Sequence, residues 1–423
     1  MQFKLVTISL ALAKIATVVS ADVTASNYWE SISTKINPKN ITLPSIKQTT
    51  SYDVDTQCTY YTPDSSLITF KESEWPTSWL TATSNGMDKS AEFLSLYNSI
   101  DWTKAPNIKP RTLTSDGGLD TSKYSDSDPD CWWSASTCTT PKLSDVNADI
   151  YACPEPETWG LTYDDGPNCS HNAFYDYLSD NKLKATMFYI GSNVMDWPYG
   201  ALRGMRDGHH IASHTWSHNY TTILSNKEVL AELYYTQKAI KLTTGVTPKY
   251  WRPPYGDVDD RVRWIATQLN LTAVIWNLDT NDWAAGDTET VEDVQATYND
   301  YIAMGTNGTF ATSGQIVLTH EIDNTTMQLA VDNLAKIQKA YKNVIDVATC
   351  YNISYPYFED FQFTDVMNAT STTDSTANST DSDSASSTTI SLKLAKAAAS
   401  VNAGSATVPS FGLAIVLIAA LVF

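Results

Sequence analysis

The sequence predicts an α/β domain built on a largely parallel sheet, preceded by an N-terminal extension and followed by a disordered Ser/Thr-rich stalk. From Tyr151 onward, short apolar runs alternate with amphipathic stretches of helical period, the pattern of a βα-repeat fold. Between Asp365 and Ser405 the chain is dominated by Ser, Thr, Ala and Asp without hydrophobic period, so it buries too little apolar surface to fold and reads as a glycosylated stalk. No internal repeat in the solenoid range is visible, which leaves a barrel or a doubly wound sheet for the βα-repeat region.

The elements follow in chain order. Residues 1–21 read as a secretory signal: Lys4 lies near the start, an apolar stretch interrupted by Lys14 runs from Leu5 to Val19, and the small Ser20 and Ala21 suit cleavage. Residues 22–150 are rich in Ser, Thr, Asp and Trp and carry no chemistry that the sequence defines. Their Trp75, Trp79, Trp132 and Trp133 are of a type that stacks on sugar rings, although packing against the main domain is the stronger expectation. Within residues 151–364, Thr158 to Tyr163 reads as a buried strand, Asn172 to Asn181 as a helix and Ala185 to Ile190 as a strand. Asn226 to Thr243 reads as a helix with apolar Val229, Leu230, Leu233 and Ile240, and Thr272 to Trp276 and Gln315 to Leu318 as two more short strands. Catalytic groups are then expected just beyond the C-terminal strand ends. Beyond the stalk, Phe411 to Phe423 is an uncharged apolar run, shorter than the ~20 residues of a spanning helix. With the small residues Asn402, Ala403 and Gly404 upstream, it matches a glycolipid-anchor signal whose tail, residues 406–423, is removed, and Asn402 is the expected attachment site.

Composition bounds the function. A chain of 423 residues with 42% hydrophobic content holds one large catalytic domain plus appendages, and its net charge of −19 repels nucleic acid while leaving a neutral glycan an easy partner. Nine Asn-x-Ser/Thr sequons, at Asn40, Asn168, Asn219, Asn270, Asn307, Asn324, Asn352, Asn368 and Asn378, point to the secretory route independently of the signal. The six cysteines (Cys58, Cys131, Cys138, Cys153, Cys169 and Cys350) are even in number and form no CxxC pair, so disulfides are the better reading than zinc ligation.

All six histidines lie between His171 and His320. His214-Thr215-Trp216-Ser217-His218 spaces two imidazoles four apart, which on a helical turn would put both on one face at a distance suited to one metal ion. Tyr163-Asp164-Asp165-Gly166-Pro167 follows a predicted strand and ends in a turn that Gly166 and Pro167 force. Adjacent acids there point in different directions, so one can complete a His, His, Asp ligand set while the other accepts a proton from water. His209 and His210 read as a structural lead into the His214 segment, and His171 as a surface residue.

Taken in order, Thr162 to Pro167, His214 to His218, Arg252-Pro253-Pro254-Tyr255-Gly256, Asp279-Thr280-Asn281-Asp282-Trp283 and Leu318-Thr319-His320 resemble the successive motifs of the polysaccharide deacetylase family, carbohydrate esterase family four, and most closely its fungal chitin deacetylases. The resemblance implies that Asp165, His214 and His218 bind a divalent metal and that Asp164 is the general base, held ionised and aimed by Arg252. It further implies that Tyr255 offers a backbone N–H to the oxyanion, that His320 protonates the leaving amine, that Asp282 orients His320, and that Trp283 walls the acetyl pocket. It implies a Cys153–Cys350 disulfide as well, the other four cysteines being open to three pairings.

These roles answer a chemical need. An acetamide is a poor electrophile and water a poor nucleophile, whereas a bound metal brings the pKa of its water toward ~7 and polarises the carbonyl. An amine leaves only when protonated, so an acid must stand opposite the base. A two-His, one-carboxylate face suits zinc, with cobalt, manganese or ferrous iron fitting the same ligands. The expectation is a distorted (β/α) barrel with its site in a surface groove, acting as a monomer on chitin at the cell surface, anchored through the glycolipid to plasma membrane or cell wall. Rival readings are a deacetylase of acetylated xylan or peptidoglycan, and an inactive glycan-binding wall protein. No Gly-x-Ser-x-Gly or His-Glu-x-x-His occurs, which disfavours a serine esterase and a zincin protease.

Overall fold

The strand expected at Thr158–Tyr163 runs one residue further, and this strand, β1 (Thr158–Asp164), is buried at all seven positions, as a parallel strand covered on both faces must be. The computed structural model of the chain describes residues 23–39, 68–360 and 362–363. The signal segment, Asn40, Cys58, the stalk with Asn368 and Asn378, and the tail with Asn402 lie outside the described residues. After β1 come β2 (Thr186–Tyr189), β3 (His210–Ser213), β4 (Tyr250–Trp251), β5 (Thr272–Ala273), β6 (Leu278–Asp279), β7 (Gln315–Leu318) and β8 (Asn343–Ile345). Every pairing is parallel; the order is β5-β4-β3-β2-β1-β7-β6, with β8 also beside β1.

The two ends of that order, β5 and β6, are separated by residues 274–277 alone. There Val274 N–H donates to the Trp251 carbonyl (2.8 Å), Ile275 to Ile150 (2.8 Å) and Asn277 to Ile316 (3.1 Å). The sheet therefore curls into a distorted (β/α) barrel that irregular backbone completes. It follows that Thr272–Trp276 is not one strand: Val274 makes the last donation to β4, and the donors of Ile275 and Asn277 then go to Ile150 and Ile316 instead.

The principal helices are α1 (Ala91–Ser99), α2 (Asn172–Asp180), α3 (Pro198–Arg206), α4 (Asn226–Thr244), α5 (Asp260–Gln268), α6 (Val291–Met304) and α7 (Asn324–Ala340). Their ends have local causes. Ser225 and Glu228 form a capping box at the start of α4, and Gly245, at φ 83°, ends it in the left-handed conformation that lacks a Cβ penalty. Thr290 with Asp293 and Asp323 with Thr326 cap α6 and α7 in the same way. Among the described residues no helix is long and apolar enough to cross a membrane.

One core runs through the extension and the barrel. Tyr28, Trp75, Phe93 and Leu96 are buried in the same apolar cluster as Tyr234 and Tyr235 of α4. Trp75 and Trp132 are packing residues, Trp133 covers Trp276 edge-on at 4.9 Å, and Trp79 is exposed. Cys153 is joined to Cys350 and Cys131 to Cys138.

Candidate active site

The C-terminal strand ends deliver the polar side chains. Asp164 closes β1, and Asp165 follows with φ 75°. Gly166 must be glycine, since a Cβ there would run into the Glu321 carboxylate. Arg252 follows β4, Asp282 follows β6, and His320 follows β7. A parallel bridge sets Asp164 directly beside His320.

The His214–His218 segment departs from the expected helical turn. It is a loop after β3 in which Thr215 (φ 63°) and His218 (φ 55°) are left-handed. The N–H groups of Trp216 and Ser217, which a helix would use internally, both donate to the Glu232 carboxylate at 2.8 Å. The two imidazoles nevertheless converge: His214 Nε2 and His218 Nε2 lie 3.4 Å and 3.2 Å from Asp165 Oδ1. One ligand atom from each of the three residues falls within 4.8 Å of the others. Asp165 Oδ1 is buried and makes no hydrogen bond of good geometry, so a carboxylate oxygen and two ring nitrogens face one another across a short gap. His214 Nδ1 is engaged with the Arg252 carbonyl at 2.8 Å, which turns the Nε2 lone pair toward Asp165. The other cluster of possible ligands, Asp128 with Cys131 and Cys138, is spent, because its sulfurs are bonded to each other.

Arg252 is wholly buried, and so is no surface ion pair. Its Nη1 donates to Asp164 Oδ1 (2.7 Å) and Thr162 Oγ1 (2.9 Å), its Nε to the Val274 carbonyl (3.2 Å), and its plane lies over Phe188 at 4.1 Å. Asp164 Oδ2 is thereby left facing His214 Nε2 at 3.7 Å. On the far side, Asp282 accepts both the backbone N–H of His320 (2.8 Å) and a proton at Nδ1 (2.6 Å).

Electrostatics separate the roles. Burial opposes a charge on Asp165, but His218 and His214 outweigh it and hold the carboxyl well below the usual carboxylate range. Burial pushes His218 down to about 4 against the pull of Asp165, so at neutral pH it offers a lone pair. Burial also works against a charge on His320, yet Asp282, in charge and hydrogen bond, overcomes it and raises the imidazole to about 10. Asp279, largely through burial, is raised to about 6.

Tyr255 and Trp283 are exposed beside this cluster. Tyr255 has a left-handed backbone (φ 58°), and its ring meets that of His218 edge-on at 4.7 Å. Trp283 directly follows Asp282 and hydrogen-bonds the Asp279 carboxylate. His171, expected at the surface, is buried: its Nδ1 meets Glu321 Oε2 at 2.7 Å, and Tyr175 donates to Glu321 Oε1 at 3.2 Å. The sequence did hold a signal for Glu321, which directly follows His320 at the edge where the polar groups gather. His209 and His210 are buried and, chiefly through burial, pushed down to about 3, as structural neutral rings are. Of the sequon asparagines, Asn270, Asn307, Asn324 and Asn352 are exposed, while Asn168 and Asn219 are half-buried.

The polysaccharide deacetylase family model matches residues 151–274, a stretch that holds Asp164, Asp165, His214, His218, Arg252 and Tyr255. A chitin deacetylase of Amylomyces rouxii is 70% identical over 374 residues, 88% of this chain and 88% of that protein. Chitin deacetylase 2 of Cryptococcus neoformans var. grubii is 52% identical over 314 residues, 73% of this chain and 68% of that protein. The solved chitin deacetylase from the fungal pathogen Colletotrichum lindemuthianum is 26% identical, with a TM-score of 0.45, over 48% of this chain and 92% of that one. Identity of this degree, sustained over nearly all of two chains, together with the matched family model, establishes that the chain belongs to the polysaccharide deacetylase family.

Proposed function

We propose that this chain hydrolyses the N-acetyl groups of chitin, giving chitosan and acetate, at a fungal cell surface. The observation that carries the substrate is the likeness, over most of both chains, to a relative that is itself a chitin deacetylase. Deacetylases of this family use one divalent metal ion, and Asp165, His214 and His218 would hold it. An unsatisfied carboxylate oxygen, two converging imidazoles and a His ring fixed from behind by a carbonyl are the features of such a ligand set. Zinc suits these ligands best, with cobalt as the alternative. When bound, the ion would bring the pKa of a coordinated water toward ~7 and polarise the acetyl carbonyl.

The residues around it supply the proton transfers. Asp164, aimed by Arg252, takes a proton as the water oxygen bonds to the acetyl carbon. The Tyr255 backbone N–H steadies the oxygen that becomes negative. His320, kept protonated at neutral pH by Asp282, gives its Nε2 proton to the nitrogen as the carbon–nitrogen bond breaks, so acetate and a free amine leave. Trp283 bounds the pocket for the acetyl methyl. Tyr255 and Trp283 are exposed, which suits a site that a polymeric substrate must reach from the surface.

The disulfides fit an oxidising compartment. With the signal segment, sequons and tail, they support a secreted, N-glycosylated monomer tethered through a glycolipid at Asn402, with the catalytic unit at residues 151–364 and residues 365–405 as its stalk. Acetate release from chitin oligomers by the purified secreted protein tests the activity, with a chelator and with zinc or cobalt restored. Chelator-sensitive release that the metal restores is expected. Release from acetylated xylan but not from chitin would overturn the substrate, and silence on every acetylated glycan would overturn the reaction.

A further inference from the structure

The loop bearing His214 and His218 is wrapped around a carboxylate that lies behind it. Glu232, on α4, is buried and accepts four hydrogen bonds, each of 2.8 Å. Its Oε2 takes the N–H groups of Trp216 and Ser217; its Oε1 takes the Ser217 hydroxyl and the N–H of Ala82. Two of the five loop residues are left-handed without being glycine, a conformation that persists only where surrounding contacts impose it. Glu232 provides those contacts at the two positions immediately before His218.

The fourth donor comes from outside the matched family stretch. Ala82 belongs to the extension, whose neighbouring residues bear on the same loop. The Thr77 carbonyl accepts the Trp216 indole N–H at 3.2 Å, and Trp75 stacks on Trp216 at 6.1 Å and 16°. Trp79 N–H donates to Ser192 Oγ (2.8 Å), which in turn donates to the Trp216 carbonyl (2.6 Å). Trp216, between the two histidines, is thus gripped from the extension as well as from α4.

We propose that Glu232 is the positioning residue of the His214–His218 loop and that, through Ala82 and Trp216, the N-terminal extension is part of the structure that sets metal affinity. This rests on the reading of Asp165, His214 and His218 as ligands. It gives the extension a role in the reaction that its own residue types do not announce.

Glu232→Gln is the informative variant because it keeps shape and volume. One head atom becomes an NH2 group, which must face either the Trp216 and Ser217 amides or the Ala82 amide. In either orientation at least one buried N–H loses its acceptor. The metal dissociation constant of the full-length protein, read by competition with a chromophoric chelator, is expected to rise about 10- to 100-fold. The visible spectrum of the cobalt-substituted protein is expected to change with it. Asp346→Ala serves as the comparison: it removes the cap of Val347–Cys350, beside the start of β2, and lowers the unfolding midpoint of the metal-free protein while leaving all four hydrogen bonds of Glu232 in place. Its metal affinity is expected to match the parent's. Glu232→Gln binding metal as tightly as the parent would overturn the proposal, as would equal losses of affinity in both variants. If His214→Ala retained the parent's affinity, the ligand assignment itself would fall, and the proposal with it.

Discussion

His210 and His320 are both buried imidazoles, yet one is pushed down to about 3 and the other raised to about 10. His210 has burial acting on it alone, whereas His320 has the Asp282 carboxylate 2.6 Å from Nδ1. Asp282→Asn should therefore let the His320 pKa fall toward neutrality, as read by imidazole NMR titration of the metal-free protein, and should lower turnover by about 10²- to 10⁴-fold. A titration unmoved by the change would mean that Asp164 and Asp165 hold the proton instead. The sign for stability follows: a folded pKa above the ordinary 6.5 stabilises the fold fully below that pH and is lost as pH rises through about 10. The stability gap between parent and Asp282→Asn should accordingly be widest in mild acid and close in alkali. On the opposite face of the substrate, Asp164→Asn should abolish turnover while keeping the metal, because Asp165, His214 and His218 are untouched; His214→Ala should lose both. Equal metal loss in the two variants, measured by elemental analysis, would remove Asp164 from the role of base.

At the scale of elements, α4 carries more than its length suggests, since it packs the extension and presents Glu232. Its stop depends on Gly245, where a Cβ would strain a left-handed backbone and press on Pro38 Cδ and the Ile36 carbonyl. Gly245→Ala should cost about 1–2 kcal/mol from the backbone alone, checked by urea denaturation; an unchanged midpoint would show that the end of the helix relaxes freely. The elements readable from sequence were those with enough residues to show a period. β1, β7, α2 and α4 fall within one or two residues of their expected bounds. β4 and β6 have two residues each and leave no alternation to detect. The His214–His218 spacing pointed to the right pair of ligands but to the wrong backbone, because left-handed Thr and His leave no mark in composition. Glu232 was invisible for a related reason: a charge between apolar helix positions ordinarily faces water, and only tertiary contacts turn this one inward. His171 was misread on the same grounds, its partner Glu321 lying 150 positions away.

Across the whole molecule, the packing extends well beyond the matched family stretch. Three buried groups of the barrel are completed by the extension: Glu232 by Ala82, Asp257 by the Trp132 indole and the Ser134 hydroxyl, and Arg263 by Asp149 and the carbonyls of Cys131 and Cys138. Without the extension Glu232 would lose one of its four donors and Asp257 would keep only its Thr222 partners, at about 1–3 kcal/mol for each hydrogen-bonding group left short, while Arg263 would lose the Asp149 carboxylate and both carbonyls and cost more. The apolar faces of Tyr234, Tyr235 and Trp216 would be uncovered as well, losing the rings of Trp75 and Phe93 that now lie on them. Expression of residues 151–364 alone should therefore yield aggregated or partly unfolded protein, whereas residues 22–364 should elute as a monomer with a single cooperative unfolding transition. Size-exclusion chromatography and thermal melts of the two separate the cases. A monomeric 151–364 with an undiminished melting temperature would mean that the barrel closes over these groups by itself, and that the extension is an ornament rather than a wall of the enzyme.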